Sequence, residues 1–433
     1  MSTCQASLDR YIRPPVEPAN TLLIRHSCNL NVTNDITTAK DRQPHWAVRM
    51  ALEFATTFKA LTDKEPFPWQ TALYENWFSQ GKIPPAATLP TGLGKTSVIA
   101  ICLIALANKC NVPCRLVYVV NRRTVVDQTT EEVEKYLYSI TEDLVLLEAF
   151  HKIGFHTPKP PLRHTPFAAS TLRGQFADNR EWSADPSRPA VICGTVDMIG
   201  SRLLFSGYGI GRGSRPLHAG FLGQDALLIH DEAHLEPAFQ TLLESIVAEQ
   251  DRCKEFGTFR VMELTATSRG EGKPFELTEE EKAAPSPLPP LPTSQEEWEK
   301  TEPIHLVWWR THSKKSLTFI AISDEKKELA QQVAACAEKY IKDAAEHAVL
   351  IFVRTVEAVG EVVKALTTKK VVAKQIETLT GTMRGFERDA MARTNKVFAR
   401  FKSGMDVEPQ PGTVFFWFAL RLAKSAWTSP PTT

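Results

Sequence analysis

The sequence predicts an α/β protein built on parallel sheets, two such domains in tandem with the second incomplete. Three observations carry this expectation. Short, largely apolar runs recur, "RLVYVV" at 115–120, "DALLIH" at 225–230 and "AVLIFV" at 348–353, the pattern of strands covered on both faces. Helical patterns lie between them, such as "SVIAICLIALANK" from Ser97 and "DEKKELAQQVAACAEKYIKDAAEHA" from Asp324, and this alternation argues for parallel pairing. At 433 residues, the chain is also longer than a single core comfortably fills.

In chain order, residues 1–65 form an extension that starts irregular and turns helical through "AVRMALEFATTFKALT". A first α/β domain is expected over 66–268, with the Pro-rich stretch "HTPKPPLRHTP" at 156–166 as a surface insertion. Residues 269–300 are rich in Pro and Glu and read as a linker. A partial second domain follows over 301–412, and 413–433 reads as an aberrant tail that opens on the strand-like run "TVFFWF". No internal repeat is evident.

Composition narrows the class. Hydrophobic content of 43% and charged content of 23% are those of an ordinary globular chain. The net charge of +1 offers no global field for an anionic partner, so a nucleic-acid site has to be a local stripe. The eight cysteines lack paired spacing, which fits reduced thiols in a cytoplasm. No segment reads as a signal peptide or a membrane span.

The first chemical signal is "LPTGLGKTSVIA" at 89–100. Glycines in Thr91-Gly92-Leu93-Gly94-Lys95-Thr96 let main-chain N–H groups approach phosphates closely. Lys95 then reaches the β- and γ-phosphates, and the Thr96 hydroxyl is a Mg²⁺ ligand. The strict pattern wants glycine where this chain has Leu89. The second signal is "ALLIHDEAH" at 226–234, a buried strand ending in two acids. Asp231 is placed to hold Mg²⁺, and Glu232 to act as general base on an attacking water. With "LTATS" at 264–268, the order of these motifs points to ATP and Mg²⁺.

Asp231-Glu-Ala-His234, the Gly-Lys-Thr loop and Thr265-Ala-Thr267 together resemble the motor of a superfamily 2 DEAH-box helicase, which is built of tandem RecA-like domains. "FPWQ" at 67–70 looks like that family's Q motif, which implies that Gln70 recognises adenine with Trp69 in support. "VVNRRTVVDQ" at 119–128 and "CGTVDMIGSRLLFSGYG" at 193–209 look like its strand-grasping segments. With "TGTMRGFERD" at 380–389, the set is more narrowly similar to the CRISPR-associated helicase–nuclease of type I interference systems.

The resemblance implies phosphate contacts to single-stranded DNA from Asn121, Arg122, Arg123 and Thr195, with Arg354 and Thr355 from the second domain. Such loops contact phosphates without reading bases. Asp197 would orient its neighbours. His234, Thr265 and Thr267 would couple the ATP state to the strand-binding surface. A CRISPR RNA-guided surveillance complex is the implied partner. The family's nuclease needs a His-Asp dyad. The sole such pair, His230-Asp231, belongs to the motor, and His26 and His45 lack an acidic partner, so no nuclease is expected.

Two family motifs should follow "FARF", and neither is present. One permitted codon choice for Arg421-Leu-Ala-Lys-Ser-Ala-Trp-Thr428, read from the third base of the Arg421 codon, gives Ala-Gly-Glu-Val-Gly-Val-Asp, one of the two. A frameshift between Gly412 and Leu420 is therefore expected. It would remove the arginines that reach the γ-phosphate, which contribute about 10³–10⁵-fold in related phosphoryl transfers. Two alternatives stay open, a general superfamily 2 DNA or RNA helicase outside CRISPR and a non-catalytic ATP- or nucleic-acid-binding fragment.

Overall fold

In the computed structural model, every paired strand runs parallel to its neighbours. The structure describes residues 51–151, 165–173, 179–185, 187–255, 258–266, 273–288, 290, 297, 300–312, 316–341, 347–369, 371, 375–379, 397 and 414–420. His26, His45, Thr267, the "TGTMRGFERD" segment, the tail beyond Leu420 and most of the Pro-rich insertion lie outside the described residues.

The first part of the chain runs α1 (Phe54–Thr62), α2 (Pro68–Asn76), β1 (Ala86–Thr88), α3 (Val98–Ala107), β2 (Arg115–Val120), α4 (Arg123–Glu142), α5 (Leu144–His151) and β3 (Ala168–Leu172). It continues with α6 (Glu181–Ala184), β4 (Ala190–Thr195), α7 (Val196–Leu203), α8 (Arg215–Gly223), β5 (Ala226–Asp231), α9 (Pro237–Cys253), β6 (Phe259–Thr265), β7 (Phe275–Glu276) and α10 (Glu279–Lys282). The seven strands form one sheet in the order β3-β4-β2-β5-β6-β1-β7. All three apolar runs are strands within a residue of the expected bounds, two of them in this sheet and the third, at His347–Val353, in a second one.

Why these runs pair centrally follows from their burial. Every residue of β2, β4 and β5 is buried. Successive side chains point to opposite faces, so each strand feeds two cores. Leu116, Tyr118, Val191, Cys193, Leu227 and Ile229 enter one cluster. Val117, Val119, Ala190, Ile192, Ala226 and Leu228 enter the other. Helix α3, "VIAICLIALA", is apolar all round and buried at nine of its ten positions, as a helix inside a two-layer core must be.

Register sets the position of the site. Thr88 pairs with Thr265, Leu264 with Asp231, Val119 with His230 and Val120 with Thr195. The C-terminal ends of β1, β6, β5, β2 and β4 therefore share one edge of the sheet. The loops leaving that edge begin at Leu89, Asn121, Val196 and Glu232, and they carry most of the motifs. Ligands of open parallel sheets bind outside the carboxyl ends of strands for this reason.

Part of the stretch expected to be a linker belongs to this sheet. Phe275–Glu276 adds an edge strand beside β1. The following turn closes with a capping box in which Glu281 accepts from the Thr278 main chain at 2.9 Å. Glu281 is buried, and its other oxygen accepts from the Trp69 main-chain N–H at 2.8 Å. A Pro/Glu-rich composition reads as solvated, whereas here one glutamate is consumed in capping two helices. Helix α11 (Pro303–His312) likewise seats Val307 in the core that contains β1 and α3.

The remaining elements are α12 (Glu325–Ile341), β8 (His347–Val353), α13 (Val356–Thr368), β9 (Ile376–Leu379) and β10 (Val414–Leu420). They form a three-stranded sheet, β8-β10-β9. Residues 414–420, placed from sequence in the tail, pair along their whole length with 347–353. Phe416 is buried with Ile351, Val353, Val359, Val362 and Leu366. Among the described residues no helix is long and apolar enough to cross a membrane.

Replacing Glu281 with Ala should destabilise the first sheet by about 1–3 kcal/mol, because the buried Trp69 N–H loses its acceptor and α10 its cap. Chemical denaturation of the variant measures this. An unchanged midpoint would return residues 275–282 to the role of a linker.

Candidate nucleotide site

The chain between β1 and α3 forms the floor of the site. Leu89, which departs from the strict phosphate-loop pattern, is still part of the sheet. Its N–H donates to the Thr265 carbonyl at 3.0 Å and its side chain is fully buried. The loop proper turns on Gly92 and Gly94, at φ +88° and +69°. No atom crowds a Cβ at Gly92, and only ordinary contacts meet one at Gly94. Backbone conformation, which glycine adopts freely, therefore decides these two positions. Leu93 is buried in the core, so it offers a ligand only its main chain.

Lys95 opens a 3-10 turn, Lys95–Ser97, that leads into α3. Its ammonium is 8% exposed and donates to Glu232 Oε1 at 3.0 Å, with Asp231 Oδ1 at 4.0 Å. The two motifs read separately from sequence thus meet across strand β6. Asp231 is buried, its Oδ2 accepting from the Tyr118 hydroxyl at 2.8 Å and its Oδ1 from the Glu232 N–H at 2.9 Å. Burial pushes the Asp231 carboxyl above the ordinary aspartate range, opposed by Lys95 and the Tyr118 hydrogen bond. Thr96 lies against the same Tyr118 hydroxyl. Two hard oxygen donors, Thr96 and Asp231, therefore stand near one phenol, a donor chemistry that suits Mg²⁺ with its retained waters and substrate phosphates.

Glu232 stands in the left-handed region at φ +55°, which costs a side-chain-bearing residue about 1–2 kcal/mol. Its N–H also donates to the Leu264 carbonyl at 2.8 Å, and the turn aims its carboxylate back at Lys95. His234 Nδ1 lies 3.5 Å from Glu232 Oε2 and 3.2 Å from the buried Thr265 Oγ1. A polar chain therefore runs Lys95–Glu232–His234–Thr265. His230 points to the opposite face, 3.0 Å from Gln240 Oε1, and burial lowers its pKa. Adjacent strand residues diverge in this way, so His230 and Asp231 are not a dyad.

Gln70, in the first turn of α2, is buried and held at both ends of its amide. Its Oε1 accepts from the Phe67 N–H at 2.7 Å, and its Nε2 donates to Ser97 Oγ at 2.6 Å. Ser97 in turn donates to the Gly94 carbonyl at 2.7 Å. The residue expected to read adenine is thus tied to the glycine-rich loop. Trp69 is fully buried behind it, as core. Arg310 of α11 donates to the Gly92 carbonyl at 2.8 Å, with its guanidinium 5.4 Å from the Phe67 ring centroid.

The expected strand-binding residues lie at the same edge or on the second sheet. Asn121 and Arg122 are half-buried between β2 and α4, Arg122 as the residue that caps α4. Thr195 is the N-cap of α7, accepting from the Met198 N–H at 3.4 Å, and Asp197 sits in that helix's first turn. Thr355 caps α13 by accepting from the Ala358 N–H at 3.2 Å, and Arg354 beside it is exposed. Each threonine hydroxyl keeps its proton for a further acceptor. Tyr118, Ser97 and Arg310 were not singled out from sequence. A tyrosine inside an apolar strand looks like core, and nothing local marks the other two.

Residues 63–269 match the family model described as Type III restriction enzyme, res subunit. This stretch carries strands β1 to β6. No curated protein matches the sequence. Among solved structures, T. fusca Cas3 with AMPPNP is similar at 15% identity and a TM-score of 0.49, covering 86% of this chain and 42% of that one. S. cerevisiae Dbp5 bound to RNA and ADP BeF3 is similar at 13% identity and a TM-score of 0.40, with 84% and 72% covered. The Escherichia coli DEAH/RHA helicase HrpB is similar at 12% identity and a TM-score of 0.41, with 84% and 35% covered.

Tyr118→Phe removes one of the hydrogen bonds to a buried carboxylate and should cost about 1.5–3 kcal/mol. Urea denaturation of the variant beside the parent protein reads this directly. An unchanged stability would mean that Asp231 does not depend on the phenol.

Proposed function

We propose that this chain carries an ATP-dependent nucleic-acid motor of the superfamily 2 type, acting on single-stranded DNA in type I CRISPR interference. The observation that supports this most is the contact of Lys95 with Glu232 and its approach to Asp231 at the ends of β1 and β5. In this reading Gln70, Thr91, Gly92, Leu93, Gly94, Lys95 and Thr96 hold ATP, the glycine-rich loop by its main-chain N–H groups. Thr96 and Asp231 hold Mg²⁺, which when bound neutralises charge on the β- and γ-phosphates. Glu232 takes a proton from the attacking water. His234, Thr265 and Thr267 couple the site to Asn121, Arg122, Arg123 and Thr195, and from the second sheet to Arg354 and Thr355. The narrower assignment to a CRISPR surveillance complex, and with it a cytoplasmic setting, rests on the motif resemblance alone.

The family-model match favours a second reading, a superfamily 2 motor outside CRISPR systems. Stimulation of ATP turnover by single-stranded RNA rather than DNA would support it.

Lys95→Ala should abolish binding of a fluorescent ATP analogue. Glu232→Gln should leave that binding near the parent level while lowering turnover by about 10²–10⁴-fold, the usual range for a lost general base. Equilibrium binding and phosphate release measured on the same preparations separate the two effects. Full nucleotide affinity in Lys95→Ala would end the assignment.

A further inference from the structure

Between α11 and α12 the fold leaves an apolar stretch bare. From Ser316 to Ile322 the chain is in neither helix nor strand, and among the described residues none of its main-chain groups has a hydrogen-bond partner. Its side chains are uncovered as well. Phe319, Leu317 and Ile320 are 87%, 76% and 50% exposed, and Phe319 is the most exposed large apolar side chain among the described residues. Single exposed apolar residues are ordinary on a protein surface. Three within four positions, on an unpaired backbone, mark a surface built for contact.

Composition and charge say what covers it. Ser316-Leu-Thr-Phe-Ile-Ala-Ile322 holds no charge, no proline and no glycine, and its β-branched and aromatic residues favour a pleated sheet. An exposed segment of this kind is a template for pairing with another chain. Lys314 and Lys315 precede it, whereas Asp324 and Glu325 follow it. Two copies laid parallel would set lysine beside lysine and acid beside acid, which destabilises a strand pair. Laid antiparallel, each basic end meets an acidic end. Centred on Phe319, that alignment sets the two Phe319 residues opposite each other, Leu317 opposite Ala321 and Lys314 opposite Asp324. The segment is therefore complementary to itself about a two-fold axis, the condition for a symmetric dimer. A net charge of +1 adds little repulsion between copies.

We propose that residues 316–322 are a self-association surface through which two copies of this chain pair as antiparallel strands. Main-chain hydrogen bonds supply the affinity of such a pairing, and the flanking charges fix its direction. The pairing uses neither nucleotide nor nucleic acid, so it stands or falls apart from the motor reading.

Sedimentation velocity of the full chain over a range of concentrations reads the pairing directly. The parent protein should pass from monomer to dimer as concentration rises. Phe319→Asp should weaken the dimer about tenfold or more, because it sets two carboxylates opposite each other at the centre. Phe319 is exposed, so the thermal stability of this variant should match that of the parent. Lys314→Glu combined with Lys315→Glu should also weaken the dimer about tenfold, with acids then opposed at both ends. Lys64→Glu combined with Lys82→Glu, at two exposed positions elsewhere, changes the net charge equally and should leave the dimer intact. A parent protein that stays monomeric at every concentration would overturn the proposal, whether the segment then pairs with β8 of its own chain or meets a different protein. Equal dimerisation of parent and Phe319→Asp would overturn it too, by placing the contact elsewhere. So would an equal loss in the two lysine variants, which would reduce the flanking charges to a general field.

Discussion

A lysine withdrawn from water between two carboxylates is the contact on which the rest of the site depends. Lys95 leaves the phosphate loop, and Asp231 and Glu232 leave β5, so the contact spans β6. It exists because Thr88, Thr265 and Asp231 end in register. A slip of one residue would turn alternate side chains to the other face and leave a buried charge unpaired, at a cost of about 3–5 kcal/mol. The loop and the strand end are therefore held together until another anion replaces the acid. In the proposed function that anion is the γ-phosphate. By taking Lys95, it would release Glu232 toward water.

The same acid is the strained residue. A left-handed Glu232 persists because its N–H has two acceptors, the Leu264 carbonyl and Asp231 Oδ1. One turn thus neutralises Lys95, supports Asp231 and faces His234. Buried ion pairs are weak evidence for stability, so the concentration of charge here speaks for chemistry. His234 extends the arrangement to Thr265, at the end of the strand between β1 and β5. The polar chain from Glu232 therefore crosses from the end of β5 to the end of β6.

Much of this was legible in the sequence. "RLVYVV" and "ALLIHD" are mostly apolar on both parities and too short for a buried helix, which leaves strands with two covered faces. Gly92 and Gly94 announce positive φ. Contacts that depend on distant chain segments were not legible. Tyr118 is one letter of a mostly apolar run until the register sets it beside Asp231. Glu281 has the composition of a solvated linker, and only the fold shows that it accepts from Trp69, 212 positions earlier. Leu89 looks like a defect in a phosphate-loop pattern, whereas its N–H continues the pairing of β1 with β6.

Arg310 shows how far such a contact can reach. Its helix follows the Pro/Glu-rich stretch, yet Val307 fixes that helix in the first core and the guanidinium holds the Gly92 carbonyl. A phosphate loop presents its N–H groups inward by turning carbonyls outward, and each outward carbonyl needs a donor. Supplying that donor from beyond the linker makes the shape of the loop conditional on residues 303–312. If a phosphate reorders the loop, Gly92 must either keep Arg310 or release it, and releasing it leaves a cation against Phe67 without its acceptor. Helix α11 leads on through α12 to β8 and the second sheet. The chain path to the second sheet therefore starts from a helix tied to the glycine-rich loop.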